Sequence, residues 1–435
     1  MAFLSTGDGP PGDTYREKTW MSQTSLSLRK HLGLEQTFAA LQYRNYRLWF
    51  FGQMTSLFGT WMQSTAQGYL AFELTHSTAF LGYVSFASGL PSWLLILFGG
   101  VVADRVPRRW LIVVTQTLQM LLAFVLALLA FLRVVQPWHI IALAFLLGVT
   151  NAFDTPARQS FVLELVERQH LTNAIALNST MFNTAVVVGP AAAGLAYAAF
   201  GPAWCFFLNG VSFIAVIVAL ILMRLKPPPV RTRHTSALIE LQEGLRYTMG
   251  QPIIRALVAM MSISAVFGVS YGTLFPAWAV EVLHGDATTN GLLVSARGVG
   301  SLIAALFIAS TAHAGRKGRI LTLGTFLFPV TLLGFALARS LPASLFFLVA
   351  AGGAQVLFGN LANALVQAQS ADELRGRVMA IYSLTFMGLQ PLGGLLVGVA
   401  AQGIGEPITV ALAAVISLAL AVGMWVRAPA VRALD

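Results

Sequence analysis

Long apolar runs, separated by short polar or glycine- and proline-containing stops, dominate this chain. About 20 apolar residues in a helix cross the hydrocarbon core of a bilayer. Lipid offers no partner to an open backbone N–H or C=O, so runs of this length must be helices that pack on one another. The sequence predicts twelve such spans, at 47–73, 77–103, 110–132, 138–160, 172–199, 203–223, 254–281, 288–312, 320–338, 342–368, 378–401 and 405–426. Only 10% of the residues are charged and 57% are hydrophobic, against about a quarter charged in soluble domains. Too few charges exist to cover a soluble surface, which excludes a soluble enzyme, a nucleic-acid-binding domain and a secreted disulfide scaffold.

The net charge of +10 is spread between the spans and forms no basic face for phosphates. Cys205 is the single cysteine, and no two of the seven histidines have metal-ligand spacing, so no metal or other cofactor is expected. No phosphate-binding loop is present, which argues against ATP hydrolysis by this chain. The longest interruption divides the spans six and six. Residues 1–45 predict a disordered cytoplasmic tail, 46–223 a first six-helix half and 224–253 a cytoplasmic linker. A second half follows at 254–427, then a short tail at 428–435. Within the linker Leu238, Leu241 and Leu245 oppose Glu240, Glu243 and Arg246, a pattern for an amphipathic helix on the membrane surface. All but Arg133, Arg297 and Arg339 of the 27 basic residues fall on the side of both termini and the linker. Cytoplasmic loops are the basic ones, so both termini are expected in the cytoplasm.

The halves read as weak parallel repeats, an architecture of transporters. Gly189-Pro190 in the fifth span answers Gln390-Pro391 in the eleventh, and the basic loop 104–109 answers 315–319. Gly100 to Arg109 reads GVVADRVPRR, which resembles the loop signature of the major facilitator superfamily, with Pro107 in place of a glycine. The stretches LWFFGQMTSLFGTWMQ (48–63), DTPARQ (154–159) and RGRVMAI (375–381) are similar to its drug-efflux branch, which includes the enterobactin exporter and the macrolide efflux pumps. The resemblance implies an all-α bundle of twelve helices in two six-helix pseudo-repeats. It also implies a multi-pass protein of the bacterial inner membrane, a monomer that exports a small amphipathic molecule by alternating access, in exchange for protons. Gly189, Pro190 and Gly194 resemble part of the antiporter motif of exporters, and Gly100, Asp104, Arg105, Arg108 and Arg109 a conformational latch. The arginine that many proton-coupled relatives carry midway along the fourth span is absent; Phe145 to Gly148 stand there. A lipid flippase of the same fold and a non-transporting membrane sensor remain alternatives.

Several polar residues interrupt the apolar spans. Gln53, Ser56, Thr60, Gln63 and Gln67 share one face of the first span, and that face must meet a water-filled cavity or other helices. Asn360, Asn363 and Gln367 repeat the pattern in the tenth. Arg297 lies deep in the eighth span, where it would either bind an anionic group of the substrate or pair with a carboxylate. Asp154 and Arg158, one turn apart, suit an ion pair or a cytoplasmic gate. Asp154 and Glu73 are the candidates to carry a coupled proton. Trp61, Phe86, Trp93, Phe182 and Phe386 are candidates for an aromatic wall. The G-x-S-x-G match at 268–272 and the glycosylation sequon at Asn178 lie inside apolar spans and carry no chemistry there. Reporter fusions test the topology: alkaline phosphatase should be inactive when fused after Arg427 and active when fused after Arg133.

Overall fold

The computed structural model describes residues 38–225, 237–311 and 317–427; the predicted tails, the 226–236 part of the linker and the 312–316 loop lie outside the described residues. The first half comprises α1 (Arg44–Thr75), α2 (Thr78–Arg105), α3 (Arg108–Phe131), α4 (Pro137–Phe161), α5 (Leu171–Phe200) and α6 (Pro202–Leu222). A linker helix, α7 (Ala237–Gly250), follows. The second half holds α8 (Pro252–Val282), α9 (Ala287–Thr311), α10 (Lys317–Leu337), α11 (Leu341–Gln369), α12 (Arg375–Ile404) and α13 (Glu406–Arg427). Eleven helices are long and apolar enough to span a bilayer by hydropathy. The twelfth is α1: its 32 residues reach about 48 Å, and the polar stripe that lowers its hydropathy is turned inward, since Gln53, Ser56, Gln63 and Gln67 are buried.

The two halves share their turn geometry. After α1 and α8 the chain leaves the helix through His76 and His284 with φ of 45° and 52°. After α5 and α12 it does so through Gly201 and Gly405 with φ of 85° and 83°. Left-handed residues end a helix abruptly, so these loops are tight. All four lie at one end of the bundle. The other end carries Arg105, Arg108, Arg168 and Arg224 and is called the basic end below.

The helix α8 is not one regular helix. It passes from α geometry into a π segment at Ser264–Gly268, a 3-10 segment at Ser270–Leu274 and a second π segment at Trp278–Val282. The linker helix α7 forms where amphipathicity places it and packs on α12 through a face other than that of Leu245. Gly244 and Thr248 are buried, Gly244 lying against Arg377 of α12, and Glu243 pairs with Arg377, while Leu245 is exposed. The small Gly244 permits the approach, and the charge pair fixes the rotation.

Two helix pairs join the halves, α2 with α12 and α5 with α9. Both are close-packed, because small residues let backbones approach. A Cβ on Gly398 would stand 2.6 Å from the Thr78 carbonyl, and one on Gly194 would stand 2.7 Å from that of Ala287. The Thr78 hydroxyl donates to the Gly398 carbonyl at 3.0 Å, the Ser77 hydroxyl to Gln402 Oε1 at 2.8 Å and the Ser295 hydroxyl to the Val187 carbonyl at 2.6 Å. These contacts run from the tight-turn end to mid-span, the deepest being Trp93 on Gly388 and Gly298 on Val186. Toward the basic end polar side chains stay exposed, among them Ser179 and Thr180 on α5 and Asn360 on α11. Overpacking such a contact costs about 1–3 kcal/mol. Gly398→Leu and Gly194→Leu should therefore each lower the melting temperature of the purified protein by several degrees, while Gly403→Leu, in open space, should leave it unchanged.

Candidate functional site

A polar network fills the middle of the first half. Asp154 on α4 is fully buried, 0% exposed. Its Oδ1 accepts from the Thr115 hydroxyl at 2.7 Å and from Gln116 Nε2 at 3.0 Å, both on α3. Its Oδ2 lies 2.6 Å from Nε of Arg158, one turn along the same helix. The Ser56 hydroxyl on α1 reaches Gln116 Oε1 at 3.5 Å, and Gln119 donates to Asn151 at 3.1 Å. A buried carboxylate needs this many partners, since desolvation without them would neutralise it. The pairing of Asp154 with Arg158 follows from their spacing. Thr115, Gln116 and Gln119 were not singled out in the sequence, although polar residues recurring in an otherwise apolar α3 were a signal for them.

At the basic end Arg108 joins three elements. It lies 3.3 Å from Asp104 at the end of α2 and 2.6 Å from Glu164 in the short 3-10 turn after α4. Arg109 donates to the Ile221 carbonyl of α6 at 2.7 Å and lies 5.3 Å from the ring of Trp110. Arg105 is exposed. The signature residues thus tie the ends of α2, α3, α4 and α6 into one unit. Gly100 faces open space, whereas its neighbour Gly99 presses on the Ala152 carbonyl and admits no side chain. Close packing of α2 on α4 depends on Gly99, which the sequence reading passed over.

Between the halves lies a cavity of about 420 Å³. Ser85, Ser88, Ser92 and Trp93 of α2, Asn151 and Thr155 of α4, and Met387 and Gln390 of α12 line it. The lining is hydroxyl- and amide-rich and holds no charged side chain. It opens beside the deeper contacts of α2 with α12, where Gly89 meets Pro391 and Trp93 meets Gly388, and Asn151 in its lining accepts from Gln119 of α3. Hydroxyls at 85, 88 and 92 share one face of α2.

Other candidate residues are dispersed. Gln63 accepts from Asn209 of α6 at 2.7 Å, and Thr60 donates to the Ser56 carbonyl of its own helix at 2.9 Å. Gln53 and Gln67 of the same stripe are buried. Asn360 is exposed, and Gln367 donates to Asn363 at 2.6 Å. Gly189 packs on Trp61 of α1, whereas Gly194 packs on α9, so the antiporter-like motif bonds one half internally and also meets the other. Pro190 is buried beside Gly291 of α9. Glu73, at the tight-turn end, accepts a hydrogen bond from Tyr197 of α5. The five candidate aromatics do not form one wall: Trp61 and Phe182 pair at 5.8 Å, Trp93 lines the cavity, and Phe386 packs on the cluster around Leu361 and Tyr382. Helix rotation separates them, which spacing along single helices cannot show.

Two pseudo-repeated six-helix halves, joined at one end and enclosing a polar cavity at mid-membrane, define a polytopic transporter rather than an enzyme. Residues 35–435 match the family described as transmembrane secretion effector. The chain belongs to that family, within the major facilitator superfamily. It is 26% identical to a staphyloferrin A transporter of Staphylococcus aureus, over 82% of this chain and 90% of that one. It is 25% identical to the multidrug efflux pump Tap of Mycolicibacterium fortuitum, over 82% and 88%. The fold superposes on the nucleoside transporter NupG with a TM-score of 0.71 at 12% identity, covering 88% of this chain and 99% of that one.

Removing one partner of a buried ion pair costs about 3–5 kcal/mol, because the other charge is stranded. Asp154→Asn and Arg158→Gln should each destabilise the protein by about that much. The double variant should lose less than the sum, as a thermal-unfolding double-mutant cycle would measure.

Proposed function

We propose that this protein is a secondary active exporter that moves a small amphipathic molecule, drug-, macrolide- or siderophore-like, out of the cytoplasm by alternating access in exchange for protons. The observation that carries this reading is the cavity at the closed apex between α2, α4 and α12. With the basic end in the cytoplasm, the halves touch along the outer part of the membrane and the polar faces of α5 and α11 are accessible from within. A substrate would enter from the cytoplasm, and rocking of the halves would open the α2–α12 and α5–α9 contacts to the outside. The protein would act as a monomer in the inner membrane with both termini cytoplasmic.

Asp154 is the favoured proton carrier. Its carboxylate is held by Arg158, Thr115 and Gln116, and one helical turn away Asn151 lines the cavity. A substrate-driven shift of α4 would loosen those partners, and a buried carboxylate that loses its partners takes up a proton. The names of the relatives, a staphyloferrin A transporter and a multidrug efflux pump, support export of a compound that is neither a simple ion nor a polymer.

Inside-out proteoliposomes carrying a pH gradient and a lumenal pH dye test the reading with ethidium, erythromycin and carboxyfluorescein. Wild-type protein should accumulate at least one compound with coupled proton efflux from the lumen. Ser88→Trp, which fills the cavity, should cut the flux tenfold or more, and Asp154→Asn should remove the proton movement. Absence of flux for every compound, in folded protein, would move the assignment to the flippase or sensor alternatives.

A further inference from the structure

We infer that Arg297, with Tyr271 and Phe275, forms an anion-binding subsite in the second half, and that the transported molecule carries a carboxylate or a comparable anionic oxygen group. The inference deepens the exporter reading and rests on it. Arg297 lies ten residues into α9, far from both helix ends for a side chain to reach water. Its helix exposes Leu292, Ile303 and Leu306 on one face. At 100° per residue, Arg297 points away from that lipid face, toward the interior of the bundle.

The guanidinium has no carboxylate there. Among the described residues no ion pair includes Arg297. Its surroundings are instead an aromatic frame on α8. The guanidinium carbon lies 5.7 Å from the centre of the Phe275 ring, and the Tyr271 side chain is beside it. Nη1 reaches over Gly272, where a Cβ would stand 2.8 Å away. Tyr271 is fully buried, and the one polar group beside its hydroxyl is the Arg297 guanidinium. Guanidinium and phenol thus face each other without an anion among the described residues, and a cation at this depth is costly without one. One anionic oxygen group would relieve that cost, accepting from the fork of the arginine and from the phenol.

The backbone is consistent with a ligand at this point. The segment of α8 that faces Arg297 is its 3-10 stretch, Ser270–Leu274, entered from a π segment. Irregular backbone at membrane depth is tolerated where it is buried in protein or lines a cavity. Among the described residues none of the tight-turn carboxylates, Glu73, Glu281, Asp286 and Glu406, forms an ion pair with Arg297. Glu73 is engaged by Tyr197, and Asp286 accepts from the Thr289 backbone N–H.

Carboxyfluorescein and rhodamine 6G share a xanthene frame and differ in the sign of their charge, so the pair separates an anion site from an apolar one. Their binding to the full chain in nanodiscs can be followed by fluorescence anisotropy without any need for transport. Arg297→Gln should weaken carboxyfluorescein binding tenfold or more and leave rhodamine 6G binding unchanged. Arg297→Lys should restore most of the loss, and Tyr271→Phe should weaken the anion alone by a smaller factor. Equal loss of both dyes in Arg297→Gln, an unchanged carboxyfluorescein affinity, or no saturable carboxyfluorescein binding by the wild type would each overturn the inference. If the anion binds through Arg297 but wild-type proteoliposomes move neither dye, the exporter reading fails while the subsite stands.

Discussion

The architecture depends on the close approach of backbones where α2 meets α12 and α5 meets α9. Lipid supplies no hydrophobic force between helices, so association in the membrane comes from packing and a few hydrogen bonds. Glycine at 398 and 194 lets each pair come close enough for carbonyls to meet side chains of the other half. Because those contacts stop at mid-span, they fix one end of the molecule, leave the other accessible and set the depth of the cavity between them. A substitution that separated the backbones would therefore alter stability and the accessible side together.

Around that seam the halves divide their labour unequally. The first half concentrates its buried polarity around an ion-paired carboxylate, Asp154, which holds three side-chain partners, and it braces its basic end through Arg108. The second half has the reverse character. Its mid-span cation, half-buried Arg297, meets aromatic rings and an interrupted helix instead of a carboxylate. Pseudo-repeats share a backbone plan, as the paired left-handed turns show, yet their side chains are free to diverge. An ion pair already formed resists change, whereas a cation without a carboxylate can accept an anionic partner. The first suits a conformational and coupling role and the second suits recognition.

Amino-acid order alone determined the membrane class, the twelve spans, the six-and-six division and the pairing of Asp154 with Arg158. The physical reason is locality: span length, helical periodicity and one-turn spacing are all properties of a single helix, and lipid permits few alternatives to a helix. Which face of each helix meets which neighbour was decided only by tertiary packing. Ser56 and Gln63 of the α1 stripe turned to α3 and α6 within their own half, where Gln116 and Asn209 pair with them. The cavity hydroxyls of α2 carried no distinguishing mark in sequence, and Thr115 and Gln116 gained meaning only once α4 lay against them. Arg297 was conspicuous as a charge in an apolar run. Whether a carboxylate answered it could be read only from α8, whose chain is remote in sequence and whose irregular turn is set by the helices packed around it.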